Sequence, residues 1–215
     1  RNASTALRAE GRQRKSGAPA GVRSVRRNLD RCRKTSVHFG MRIHALKHLV
    51  KAAGALGESR KVVVLGSASL LVSFPELGEA GLLENTYDGD LLLEPISKEI
   101  AAFLNESLGQ GSLFNAEKGY HADILHPTIV ASLPPGWEDR LVPMDGFDNA
   151  FALDPFDLAA VKVVVGREKD LALVKWLLEL KKITEDKLRE RLYTMPLGEK
   201  EMFRAGRNFA EVIKP

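Results

Sequence analysis

Two aspartates separated by one residue, Asp88 and Asp90, are the side chains of this 215-residue sequence with the clearest chemical potential. The run of leucines that follows them predicts a strand, and residues two apart on a strand point to the same face. Two like charges held together are costly unless a cation lies between them. Carboxylate oxygens are hard ligands that favour Mg²⁺, which also bridges to substrate phosphates. The pair therefore predicts a magnesium site.

A strand, a Gly-Ser turn and a short helix precede this pair. Residues 61–65 (KVVVL) are mostly β-branched and predict a buried strand, and 70–74 predict a short helix. Between them, Gly66 and Ser67 would let backbone N–H groups and a hydroxyl approach a phosphate at the helix start. The same residues also fit a plain tight turn with a capping serine. Asp88 likewise opens an Asp-Gly dipeptide, which by itself is typical of a turn.

The remaining elements predict a sheet followed by helices. Helices are expected over 41–56 and 95–108, with strands at 90–94, 120–125, 128–132, 140–144 and 150–153. After residue 153 the pattern is helical, with helices expected to begin near residues 155, 168, 184 and 199. This order predicts an α+β (α/β) fold, in which a mixed sheet with flanking helices precedes a helical C-terminal part.

The first 40 residues differ from the rest in charge. They hold 11 basic and 2 acidic residues, whereas the remainder holds 21 basic and 26 acidic ones. Because apolar residues are sparse and show no period, residues 1–40 are expected to be disordered. A nucleic-acid-binding arm and a transit peptide are alternatives, but we interpret the segment as not native, with Met41 as the start. Residues 41–215 then form the domain, with a sheet core over 61–153 and a helical part over 154–215.

Composition narrows the class of protein. Hydrophobic residues make up 44% and charged residues 28% of the chain, which is typical of soluble globular proteins. No apolar run approaches the roughly 18–20 residues that span a bilayer, and no signal peptide is evident. A single cysteine, Cys32, allows no internal disulfide and fits a reducing compartment. We therefore expect a cytoplasmic protein with no membrane partner.

Residues 65–67 (LGS) and 88–90 (DGD) together resemble the signature of the nucleotidyltransferase superfamily, a hydrophobic strand ending in Gly-Ser and followed by Asp-x-Asp. The resemblance implies a third carboxylate on a later strand, where Asp123 is suitably placed. A plain strand-edge acid is the equal alternative for this residue. His121 and His126 flank it, but their spacing is not one typical of zinc sites, and we interpret both as exposed loop histidines.

The C-terminal part carries a narrower resemblance. Residues 153–158 (LDPFDL), Lys162 and 166–170 (GREKD) resemble a segment of bacterial abortive-infection-type nucleotidyltransferases and their uncharacterised relatives. The resemblance covers about 62–180 and implies a toxin of a toxin–antitoxin pair, hence a possible antitoxin partner. It implies transfer of a nucleoside monophosphate from a nucleoside triphosphate to an acceptor such as tRNA, protein or a small molecule.

The resemblance also implies roles for individual residues. The aspartates would bind Mg²⁺ and act in catalysis, and the glycine, serine and basic residues would hold the triphosphate. The implied catalytic and metal-binding residues are Asp88, Asp90 and Asp123, and the implied nucleotide-binding residues are Gly66, Ser67, Lys162, Arg167 and Lys169. As an alternative, the basic residues form helix-face ion pairs, since Arg167 and Asp170 lie three apart.

Two departures from the family pattern lead to a second hypothesis. Relatives often carry an arginine where Glu84 or Asn85 stands, and an apolar residue where Gly89 stands. These changes suggest an inactive nucleotidyltransferase-like binding module. A third hypothesis is a nucleic-acid-binding protein that acts through its basic N-terminus. Trp176, with leucines at helical spacing around it, is interpreted as a core residue.

Overall fold

A computed structural model of the chain describes residues 40–79, 83 and 86–214. The segment interpreted as disordered, apart from its last residue, lies outside these ranges, as do Glu84 and Asn85. Among the helices within them, none combines the length and apolar character that a membrane crossing requires.

Within the described ranges, five strands form one sheet. They are β1 (Lys61–Val64), β2 (Asp88–Glu94), β3 (His121–Ile124), β4 (Val142–Pro143) and β5 (Ala150–Ala152). The spatial order is β3-β2-β1-β5-β4. The β1–β2 and β4–β5 pairs are antiparallel, whereas β1–β5 and β2–β3 are parallel. The sheet is therefore mixed, and with its helices it confirms the predicted α+β fold class.

Helices precede, interrupt and follow the sheet. Those described are α1 (Ile43–Leu56), α2 (Leu70–Ser73), α3 (Glu76–Glu79), α4 (Lys98–Leu108), α5 (Leu113–Lys118), α6 (Pro155–Val165), α7 (Glu168–Glu179), α8 (Glu185–Tyr193) and α9 (Glu199–Val212). The helical C-terminal part is thus present as predicted. The short helices α3 and α5 were not predicted.

Local signals explain where the longer helices begin and end. Asp154 caps α6 by accepting a hydrogen bond from the Phe156 N–H at 2.9 Å, and Pro155 occupies the first helical position. The helix ends at Gly166, whose φ of +70° is a left-handed conformation that glycine adopts readily. Ser97 caps α4 in the same way as Asp154 caps α6. These helices were predictable because their caps lie within one turn.

The strand predicted over 128–132 is wrong. Residues Pro127–Ser132 form a 3-10 helix, capped by the His126 ring, which accepts from the Thr128 N–H. The β-branched residues of this segment favour a strand, but the proline and the local cap direct the chain into a turn-like helix. The hairpin predicted around Asp145 is confirmed by the antiparallel pairing of β4 with β5.

The centre of the sheet is covered on both faces. Consecutive residues of β1 and β2 are buried, among them Val63, Val64, Leu91 and Leu92. Consecutive burial requires packing on both sides of a strand. On one side α1 contacts β2 so closely that a Cβ at Gly89 would lie 2.7 Å from the Leu49 Cδ2 atom. Gly89 therefore permits this helix to pack against the strand that carries the aspartate pair.

Candidate active site

Three aspartates converge where β2 and β3 lie side by side. The parallel register pairs Asp90 with Asp123 and Asp88 with His121, so these side chains share one face of the sheet. Each aspartate offers one carboxylate oxygen, and these oxygens all lie within 4.8 Å of one another. Asp88 and Asp90 are partly buried, whereas the Asp123 side chain is 50% exposed. The cluster is thus more buried at Asp88 and Asp90 and more exposed at Asp123.

The electrostatics of this cluster favour a bound cation. Burial, followed by the negative charges of Asp88 and Asp123, raises the pKa of Asp90 from 3.8 to about 6. The positive charges of Lys162 and Arg167 offset part of this rise. A divalent cation would relieve the repulsion, and carboxylate oxygens are the donors that Mg²⁺ prefers. The three carboxylates therefore fit a Mg²⁺ site.

Gly66 lies against the cluster, two residues beyond the end of β1. The chain continues from β1 through Leu65, whose N–H donates to the Asp90 carbonyl at 2.9 Å. A Cβ atom at Gly66 would overlap the Asp90 carboxylate, with its oxygen Oδ2 as the nearest atom. The glycine therefore makes room for the Asp90 side chain, in addition to making the turn.

We expect Gly66→Ala to weaken Mg²⁺ binding at least tenfold and to destabilise the fold by about 1–3 kcal/mol, because the Asp90 side chain must move. Gly206→Ala is the matched control, since a Cβ there meets nothing within 4 Å. In the interior of α9 that change should stabilise the protein by up to about 1 kcal/mol. Thermal unfolding with and without Mg²⁺ would test both variants, and an unchanged Mg²⁺ response in Gly66→Ala would contradict the argument.

A cleft of about 640 Å³ opens over the aspartates. The residues that line it come from both the sheet and the C-terminal helices: Ser67, Leu83, Thr86, Asp88, Asp90, Asp123, Lys162, Arg167, Lys169, Asp170, Ala172, Leu173 and Trp176. Seven of the eight site residues inferred from the sequence are in this set. The eighth, Gly66, lies directly against Asp90.

Two of the three basic residues of the cleft, Lys162 and Arg167, form ion pairs with Asp170. Lys162 donates from Nζ to the Asp170 Oδ1 atom at 2.7 Å, and Arg167 from Nε to the Oδ2 atom at 2.5 Å. Burial alone would raise the pKa of Asp170, but the hydrogen bonds from Arg167 and Lys162 hold it below its ordinary value. Lys162 and Arg167 therefore form the ion pairs that the alternative interpretation expected. The same two cations also line the cleft and lower the pKa of Asp90.

Sequence reasoning missed one side of the cleft. Leu173 and Trp176 pack against the core as partly buried residues, which agrees with the core interpretation, but they also line the cleft. Thr86 lines it as well. The sequence feature that could have identified Leu173 and Trp176 is their spacing from Lys169, because residues three, four and seven positions further along a helix share its face. This spacing could be interpreted only after the structure had placed Lys169 in the cleft.

The interpretation of His121 as an exposed loop residue is wrong. His121 lies in β3, its side chain is 12% exposed, and its Nε2 atom is 3.7 Å from the Asp123 Oδ1 atom. The parallel pairing with β2 buries this strand position beside the aspartates. His126, in contrast, is exposed and lies outside β3, as expected.

Comparison with known families relates the chain to one group of proteins. Residues 44–209, about three-quarters of the chain, match the model of the family described as "Nucleotidyltransferase of unknown function (DUF6036)". No curated protein matches the chain. No solved structure matches it either.

Proposed function

The chain belongs to this family of nucleotidyltransferases of unknown function, and on that basis we propose a Mg²⁺-dependent transfer of a nucleoside monophosphate from a nucleoside triphosphate to an acceptor hydroxyl. One observation carries the proposal. The carboxylate oxygens of Asp88, Asp90 and Asp123 lie within 4.8 Å of one another in a cleft that also holds three basic side chains. Acidic groups suit the metal, and basic groups suit the phosphates.

The proposal assigns the three aspartates different roles because they differ in burial. Asp88 and Asp90, both partly buried, bind the cation, which when bound stabilises charge on the entering and leaving oxygens of an in-line displacement. Asp123 is half-exposed and therefore accessible to an acceptor. In the proposal its carboxylate orients the acceptor hydroxyl and receives its proton.

The reaction forms one bond and breaks one. The acceptor oxygen bonds to the α-phosphorus, and the bond from that phosphorus to the oxygen bridging to the β-phosphate breaks. Pyrophosphate leaves with both bonding electrons, and the acceptor proton passes through Asp123 to solvent. The Ser67 hydroxyl, Lys162, Arg167 and Lys169 line the cleft, where they bind the terminal phosphates.

The geometry supports an active enzyme over the alternative of an inactive module. The three aspartates lie together, and burial together with the charges of Asp88 and Asp123 raises the pKa of Asp90. Such perturbed groups concentrate at functional sites. The departure from the family pattern at Gly89 is explained by packing, because a side chain there would collide with Leu49. The glycine leaves both neighbouring aspartates on the same face of the sheet. Glu84 and Asn85 lie outside the described residues.

We extend the proposal to the toxin of a bacterial toxin–antitoxin pair. The support for this extension is the resemblance of residues 153–158 and 166–170 to abortive-infection-type nucleotidyltransferases. In this role the protein acts in the cytoplasm on tRNA, a protein or a small molecule, and an antitoxin is its partner. Growth arrest on induced expression, absent when Asp88 and Asp90 are replaced, would support it.

Titration calorimetry with the four nucleoside triphosphates, in Mg²⁺ and in chelator, tests the proposed function on the full chain. We expect Mg²⁺-dependent binding that the double variant Asp88→Ala/Asp90→Ala loses at least a hundredfold, because the metal and hence the triphosphate lose their ligands. Transfer of label from an α-labelled triphosphate would then identify the acceptor.

The control variant for this titration is Asp148→Ala. Asp148 is exposed in the loop before β5, and the β1–β5 register places this loop at the end of β1 opposite Gly66. It removes an aspartate of the same type without touching the cluster. Binding that persists in chelator, or in the double variant, would contradict the metal-dependent mechanism.

A further inference from the structure

One side of the cleft changes chemistry along the helix α7. Lys169, Ala172, Leu173 and Trp176 lie at positions i, i+3, i+4 and i+7, so they form a single stripe that faces the cleft. The stripe is cationic at the start of α7 and apolar and aromatic two turns later. We name the pair Leu173 and Trp176 the aromatic wall.

Cations next to the start of α7 lie close to the aspartates. Arg167, immediately before α7, and Lys162 are close enough to Asp90 to lower its pKa, and Asp170 is bonded to both cations. A triphosphate bound at the aspartates therefore has its cationic partners at this end. The aromatic wall offers a phosphate no charged group.

Trp176 differs from Trp137 in what surrounds it. Trp137 is 7% exposed, and the Lys61 ammonium lies over its ring at 5.8 Å from the centroid. Trp176 is only partly buried, and among the residues that the structure describes it makes no ring or cation–π contact. The second indole is therefore available to an aromatic ligand in the cleft.

Spacing along α7 suits a nucleotide. Trp176 lies seven positions after Lys169, which is about 10 Å along the helix axis at a rise of about 1.5 Å per residue. This length is comparable with the distance from the phosphates of an extended nucleotide to its base. A ligand with phosphates at Lys169 would thus present its base to the aromatic wall.

We propose that the nucleobase of the bound triphosphate stacks on Trp176, with Leu173 beside it. The inference rests on the proposed function and adds the subsite for the base. Because every base has a π-face, stacking tolerates all four bases, and the larger purine rings gain the most from it. The enzyme therefore accepts all four triphosphates, with ATP and GTP bound more tightly than CTP and UTP.

Binding measurements on two matched variants test this subsite. Trp176→Leu keeps an apolar side chain against the core but removes the aromatic face, whereas Trp176→Phe keeps a smaller aromatic face. In Mg²⁺, we expect Trp176→Leu to weaken ATP binding about 5-fold or more, a factor at the lower end of measured base–aromatic stacking. Trp176→Phe should retain most of the affinity.

Inorganic tripolyphosphate is the probe that separates the base from the phosphates. Its affinity in Mg²⁺ should be the same for the wild type and both variants, because it has no base to stack. Equal ATP affinity in the wild type and Trp176→Leu would overturn the stacking proposal and leave the proposed function intact. Equal loss of ATP and tripolyphosphate binding in Trp176→Leu would also overturn it. A wild type that binds neither ligand would refute both the proposed function and the subsite.

Discussion

Asp90→Asn is expected to stabilise the metal-free protein by about 1–3 kcal/mol at pH 7–8 while abolishing its stabilisation by Mg²⁺. Burial and the charges of Asp88 and Asp123 raise the pKa of Asp90 to about 6, so its ionised form is disfavoured in the fold. Asparagine has nearly the same shape and carries no charge. The variant therefore loses the repulsion together with the metal ligand.

The pH dependence of this effect has a definite sign. Between about pH 4 and pH 6 the native state holds a proton at Asp90 that the unfolded state has released. The contribution of Asp90 to wild-type stability should therefore fall through this window as the pH rises. Asp90→Asn lacks this contribution, so the two proteins should have similar stability near pH 4 and diverge to a constant difference above about pH 7.

Urea unfolding at pH 4, 5, 6, 7 and 8, in chelator and in Mg²⁺, measures both effects. Asp148→Asn is the control, because its exposed carboxylate lies away from the cluster and should change neither the pH dependence nor the Mg²⁺ response. A variant Asp90→Asn that is less stable than the wild type at pH 8 in chelator would refute the electrostatic account of the cluster.

The second large effect concerns two buried carboxylates of the helical part. Asp170 is 1% exposed and bonds Lys162 and Arg167 at the cleft. Asp157 is fully buried and contacts Arg140 at 2.9 Å and Arg191 at 2.6 Å. Asp157 does not line the cleft. The two aspartates are thus alike in that each is buried and bonded to two cations. They differ because the cations bonded to Asp170 line the cleft.

Asp170→Asn is expected to destabilise the protein by about 3–5 kcal/mol, because it leaves two cations without their carboxylate. Asp157→Asn should destabilise it less, because burial raises the pKa of Asp157 and so disfavours its ionised form in the fold. Asp170→Asn should also weaken Mg²⁺–triphosphate binding about tenfold, since Lys162 and Arg167 lose the group that holds them in place. Asp157→Asn should leave the affinity of the folded protein unchanged. Urea unfolding measures the free energy of unfolding of each variant, and titration calorimetry at low temperature measures the triphosphate affinity of the folded protein.

The comparison between these variants decides what Asp170 does. Unchanged or tighter triphosphate binding in Asp170→Asn would mean that Asp170 only competes with the phosphates for its cations. The lowered pKa of Asp170 also predicts how its contribution to stability depends on pH. Its stabilisation should be present above its ordinary pKa and lost as the pH falls, which is opposite to the effect of Asp90.

Features that depend on neighbouring residues were predictable from the sequence. The alternation of a strand puts Asp88 and Asp90 on one face, and the caps at Ser97 and Asp154 place the starts of their helices. The resemblance to nucleotidyltransferases, which depended on these local motifs in order, is confirmed by the family match. The segment 128–132 was wrongly predicted because side-chain type and local capping favoured different structures there.

The sequence by itself thus determined the fold class, the aspartate pair and the order of the helices, because periods and caps act within a few residues. Only the tertiary structure decided that Asp123 completes the cluster, since the β2–β3 register joins residues 33 positions apart. It likewise decided that Trp176 lines the cleft and that Gly66 makes room for Asp90. These relations depend on how strands pair and helices rotate, which no short stretch of sequence encodes.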